Sequence, residues 1–174
     1  MNRLAEEFAA DFEAVHGFPP DEHTIRESSA EDGAASAGML ARAGVPGSLV
    51  ALYSVLSAAE LPDFENGIWI DDASSLLEQT GAGNYPQQLV GTVEDRVTVF
   101  ATDGGGGMYA VSHSTECVYH LTLGALAGTD YDLDEDGYTI TAPDLETFLE
   151  QLRDRLARAV RAQQAVVRAG RELR

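Results

Sequence analysis

Hard cations need clustered oxygen ligands. The run TDYDLDEDGYT sets Asp132, Asp134, Asp136 and Gly137 in the D-x-D-x-D-G order that opens a calcium loop. The twelfth position, which should supply a bidentate glutamate, is Pro143, and GALAGTD ahead of the run is not a helical pattern. A solvated acidic turn or a patch for a basic partner is the expectation there, and no metal is assigned. The consecutive Gly104, Gly105, Gly106 and Gly107 would let backbone amides approach an anion, but no Gly-Lys-Ser/Thr follows and the next residues read as a strand. A hairpin turn requiring positive φ is predicted instead. Cys117 lies between His113 and His120 and invites a thiolate–imidazole reading. Cys117 and His120 have opposite strand parity, however, which sends their side chains to opposite faces of a sheet. His16 and His23 flank a proline-rich break without metal-ligand spacing, and there is no Gly-x-Ser-x-Gly elbow. No carboxylate pair can be chosen as acid and base, so the sequence names no catalytic residue, no cofactor and no enzyme activity. In Ile68, Trp69, Ile70, alternation puts the lone tryptophan opposite the isoleucines, and packing in a core is the expectation for it.

These residues need elements to place them. Leu4, Phe8, Phe12 and Val15 recur at helical spacing until Gly17, Pro19 and Pro20 stop the pattern. Residues 21–38, rich in Asp, Glu, Ser, Ala and Gly, read as a flexible arm, and the domain proper is expected to run over residues 39–160. In VPGSLVALYSVLSAAELP, Pro46 starts a predicted helix with Leu49, Leu52, Tyr53 and Leu56 on its buried stripe, ended by Pro62. NGIWIDD reads as a strand, SSLLEQT as a helix capped by Asp72 or Ser74, and GAGNYPQQL as a loop. RVTVFATD, MYAVS and CVYHLTL form an antiparallel meander, and GYTITA adds a strand. Asp144 opens a long amphipathic helix carrying Leu145, Phe148, Leu149, Leu152, Leu156, Val160 and Val167, whose arginine-rich end is residues 161–174. Helices, then strands, then a helix define an α+β single domain with an antiparallel or mixed sheet flanked by helices.

Composition agrees with one core. The chain has 174 residues, of which 44% are hydrophobic, enough to fill a single domain. No apolar run reaches the roughly 18 residues that a bilayer requires, and the first residues carry acids inside their apolar pattern, unlike a secretory signal. A single cysteine forms no internal disulfide, and a cytoplasmic location is expected. All 11 basic residues are arginine against 29 acids, giving a net charge of −18 that repels nucleic acid and anionic membrane. Residues 151–174 hold seven of those arginines beside only Asp154 and Glu172, so the rest of the chain is more acidic than the total implies. Such a body attracts basic proteins.

Four segments, in order, resemble the SUKH superfamily: VPGSLVALYSVLSAAELP, NGIWIDDASSLLEQ, VTVFATDGGGGMYAVS followed by CVYHL, and APDLETFLEQL. They span roughly Val45 to Leu156; the first 38 residues and the last 15 or so have no counterpart. The resemblance implies an α+β fold without catalysis that binds another protein. In bacteria that partner is commonly a toxin, often a nuclease, which the immunity protein blocks. An acidic surface suits a positively charged nuclease site. Asp71, Asp72, Asp103, Glu116, Asp130, Asp132, Asp134, Glu135 and Asp136 are the expected contact residues, chosen by charge and predicted exposure. The alternative function is a scaffold or regulator of cell-envelope or signalling assembly.

Overall fold

Helix α1 (Asn2–His16) ends where Gly17 takes the left-handed conformation, and it buries Ala5, Phe8 and Phe12. The structure is a computed structural model that describes residues 1–172, so the last two residues of the arginine-rich end lie outside it. Residues 21–38 depart from the flexible arm expected of them. They form strand β1 (Thr24–Glu27) and the start of helix α2 (Ala30–Arg42), whose first turn is capped by Ser29 Oγ accepting from the Asp32 N–H. Gly33 is what lets α2 sit down: a Cβ there would lie 2.0 Å from the Ser54 carbonyl oxygen.

The helix expected to run on to Pro62 stops early. Helix α3 (Gly47–Tyr53) ends at Ser54, and strand β2 (Leu56–Leu61) follows, paired with β1 on one side and β3 (Ile68–Ile70) on the other. Helix α4 (Ala73–Gly81) begins at Asp72, whose Oδ1 accepts from the N–H groups of Ser74 and Ser75. Strand β4 (Gln88–Gly91) occupies the end of the expected loop. The meander is as read: β5 (Asp95–Asp103), β6 (Met108–Ser112) and β7 (Val118–Leu121) are antiparallel neighbours. A hairpin not foreseen, β8 (Ala125–Ala127) and β9 (Asp130–Leu133), precedes β10 (Tyr138–Ala142), which pairs with β7. Helix α5 (Leu145–Glu172) closes the chain, with Asp144 Oδ1 accepting from the Thr147 N–H at 2.7 Å.

Strands β1, β2, β3, β5, β6, β7 and β10 form one antiparallel run. At the start of β5 the sheet branches: β4 pairs antiparallel with β5 and parallel with β9, and β9 carries β8 at the end. Two cores result. All five helices contribute to the first, where Phe100, Tyr109 and Val111 meet Phe148, Leu152 and Leu156 of α5 and Phe8 and Phe12 of α1. The second lies on the other face, where Val97, Val99, Ala110, Tyr119 and Leu121 meet Leu89, Tyr131 and Leu133 of the small branch. A bulge between Val99 and Ala101 re-aims β5 so that Phe100 and Ala101 both serve the first core. Among the described residues no helix is long and apolar enough to cross a membrane.

Candidate functional site

The glycine run is a clasp around one carboxylate. Asp103 ends β5, and its Oδ1 accepts from the Gly105 and Gly107 N–H groups, both at 2.8 Å, while Oδ2 lies 2.8 Å from His120 Nε2. Burial pushes the Asp103 carboxyl up, but the Gly107 N–H, His120 and the Gly105 N–H together hold it below the usual carboxylate range. Gly107 is fitted to the clasp: a Cβ would stand 2.5 Å from both Asp103 Oδ2 and His120 Nε2, so these side-chain ends would have to shift. Gly106 alone of the four adopts positive φ, at 84°.

Asp103 and His120 belong to a cavity of about 250 Å³ between the β5–β6 turn and α5. The His120 ring stacks on Tyr109, its partner in the β6–β7 register, with centroids 4.4 Å apart and planes 10° from parallel. Across the cavity Arg155 of α5 pairs with Glu65 at 3.4 Å, and Glu65 holds a left-handed backbone at φ 58°. Phe148 forms the floor, against Tyr109. An ionised carboxylate that accepts from His120 Nε2 leaves the neutral ring's proton on that nitrogen. Cys117 is no part of this group. It is buried in the second core beside Thr115, on the opposite face of β7, as strand parity requires. Nothing in the sequence tied Tyr109, Arg155 or Glu65 to Asp103. The one available signal was that Tyr109 and His120 fall opposite one another once β6 and β7 are paired.

The other expected contact acids divide into two kinds. Asp71 and Asp72 are half-buried: Asp71 Oδ2 accepts from Tyr85 OH at 2.5 Å and its carbonyl from Tyr53 OH at 2.8 Å, while Asp72 caps α4. The Ser75 N–H is the chief group holding the Asp72 carboxyl low, aided by the Ser75 hydroxyl and the Ser74 N–H and opposed by burial. Glu116, in a left-handed turn at φ 62°, accepts a short hydrogen bond from Ser48 Oγ. These three and Asp103 are tied into local structure. Asp130, Asp132, Asp134, Glu135 and Asp136, by contrast, are exposed, and none of them makes an ion pair among the described residues. In β9 the aspartates alternate with buried Tyr131 and Leu133, so the strand turns one face to the second core and an acidic face to water. Asp134 Oδ1 accepts from the Asp136 N–H at 3.1 Å, a turn rather than a cation cage, and among the described residues no three His, Cys, Asp or Glu groups are placed to hold a metal.

Trp69 is not a core residue. It is half-buried and outside both cores, its ring lying over Gly67, where a Cβ would come within 2.2 Å of it, and near Gly104. Buried Asp95 is structural in character: it accepts from Ser114 Oγ at 3.0 Å and from Tyr119 OH at 3.1 Å. No protein-family model matches this chain, and no curated protein matches it in sequence.

Proposed function

We propose that this chain is a non-catalytic protein-binding domain that docks a basic protein, acting as a SUKH-type immunity protein that occludes a nuclease-type toxin. One observation carries the reading. From Ala43 to Leu152 the chain holds a single basic residue, Arg96, while the exposed acids of β9 and the turn after it make no ion pair among the described residues. Exposed carboxylates that neither pair nor chelate contribute chiefly a field. A field of one sign speeds encounter with an oppositely charged partner and discriminates against others.

The test is kinetic. The basic protein that co-purifies from the native cell is identified, purified, and its association with the full chain measured between low and high salt. The association rate is expected to fall by about tenfold to a hundredfold as ionic strength rises from roughly 0.05 to 0.5 M. Neutralising Asp130, Asp132, Asp134, Glu135 and Asp136 to their amides is expected to slow association at low salt more than it speeds dissociation. A rate indifferent to salt, or a partner that is itself acidic, would remove this reading.

A further inference from the structure

Strand β8 ends the sheet. Among the described residues its one strand neighbour is β9, and Ala125, Leu126 and Ala127 are all exposed, so one side of its backbone turns N–H and C=O groups to an open edge. The register says what surrounds that edge. Ala125 faces Asp132 and Ala127 faces Asp130, while Leu126 faces Tyr131. Beyond β9, Asp130 and Asp132 lie opposite Gln88 and Val90, and Tyr131 opposite Leu89. One surface of the branch therefore reads, from the edge inward, alanine then aspartate. The other reads leucine, tyrosine, leucine and continues the second core outward to Leu126, which is 40% exposed; nearby Leu123, ahead of the strand, is 64% exposed.

We infer that β8 is a β-augmentation site, and that its occupant is an extended segment of the basic partner in which Lys or Arg alternates with apolar residues. The inference rests on the acidic docking proposed above and adds its mode. An added strand would lie one spacing from β8 and two, roughly 10 Å, from β9. Extended basic side chains on its upper face bridge that distance to Asp130 and Asp132, because only the methyl groups of Ala125 and Ala127 stand between. The alternate residues fall on the side of Leu126 and extend the apolar core. Backbone pairing supplies affinity, and the alternation supplies register. A second copy of this chain is the poorer occupant: its own β8 carries alanine and leucine, with no lysine or arginine to meet Asp130 and Asp132, and it would bring a further row of aspartates to the same edge.

The probe is a blocked synthetic peptide of about seven residues, the length of an ordinary strand, alternating lysine and valine. Its control has the same composition with the lysines in one block. Amide hydrogen exchange and titration by NMR are followed on the full chain. The alternating peptide is expected to slow exchange at β8 amides and to bind about tenfold more tightly than the block peptide. The exposed double change Ala125→Lys with Ala127→Lys is expected to abolish that preference. Asp130→Asn with Asp132→Asn is expected to reduce it, and Asp134→Asn with Asp136→Asn, equal in charge but off the strand, to leave it. Equal binding of both peptides, or salt-sensitive binding without protection at β8, would sink strand addition while leaving acidic docking intact. Failure of either peptide to bind at low salt would count against both. Protection of β8 amides that appears with protein concentration alone would place a second copy on the edge and overturn the assignment.

Discussion

Gly107 and Gly106 are adjacent, yet the structure asks different things of them. At Gly107 a methyl group would collide with Asp103 Oδ2 and His120 Nε2, so Gly107→Ala should push these groups apart and weaken the clasp around a buried carboxylate. The expected loss is about 1.5–3 kcal/mol, the range for hydrogen bonds to a charged group. At Gly106 nothing lies within 4 Å, and the penalty is only that of a left-handed backbone, about 1 kcal/mol. Urea denaturation of the two variants decides; equal losses would mean that the Asp103–His120 contact contributes nothing. A second prediction concerns His113, whose Nε2 lies 2.8 Å from Thr98 Oγ1. Burial first, and then Arg96, push the His113 imidazole below its ordinary value, against the pull of Asp95 and Glu116. Its folded pKa is thus depressed, so its contribution to stability is present above the unfolded value near 6.5 and is lost as pH falls below that. Asp72, Asp103 and Asp144 are likewise held low, but their contributions are lost only on acidification below about 4, well apart from the histidine window. His113→Gln should therefore flatten the fall in melting temperature between roughly pH 6.5 and 5; an unchanged slope would clear His113 of any part in it.

Whether an element could be read from the chain depended on whether its own residues decide its conformation. Helix α5 was legible because an apolar stripe from Leu145 to Val160 and the Asp144 cap both sit in one continuous segment. The β5–β6–β7 meander was legible for its β-branched and aromatic runs, and with it the turn that clasps Asp103. Strand β2 was not: Ser57, Ala58, Ala59 and Glu60 carry no β preference, and they are extended because Ala59 pairs with Ile70 on one side and Ile25 on the other. Helix α2 depended on a contact no local pattern reveals, the approach of Gly33 to Ser54. Strands β4, β8 and β9 pair with one another and are too short to be told from loop by their own residues, although β9 alternates aspartate with Tyr131 and Leu133. The acids of β9 were legible as acids, while the edge strand beside them was not. Packing also holds a conflict within α5. Gln163 is 5% exposed in the groove between α1 and α5 with Phe8 and Val15, and neither its amide nitrogen nor its oxygen has a hydrogen-bond partner among the described residues. Replacing both polar atoms at once leaves nothing unsatisfied, so Gln163→Leu should stabilise the chain by about 1–2 kcal/mol in chemical denaturation. Destabilisation would show that the amide has a partner after all, such as a bound water.

Across the whole molecule the charge is arranged rather than merely large. The last turns of α5 bring Arg168 and Arg171 alongside Asp11 of α1, a helix that also carries Glu6, Glu7 and Glu13, so the basic segment is set against acids of its own chain. The body from Ala43 to Leu152 has little such relief beyond the Arg26–Glu60 and Arg155–Glu65 pairs, and its other carboxylates repel one another at the spacing the fold imposes. Unfolding lets them separate, so this repulsion opposes the compact state. Salt shortens its range, since the Debye length falls from about 30 Å at 0.01 M to about 10 Å at 0.1 M. The melting temperature should accordingly rise with sodium chloride between these concentrations. Relief of about 1 kcal/mol would move it by roughly 2–4 °C in a domain of this size. The variant with Asp130, Asp132, Asp134, Glu135 and Asp136 neutralised should start higher and respond less. A melting temperature that falls with salt would mean that attractive pairs such as Arg26–Glu60 and Arg155–Glu65 outweigh the repulsion. The acidic surface would then be part of what holds the fold together, and not a field sustained against it for a partner.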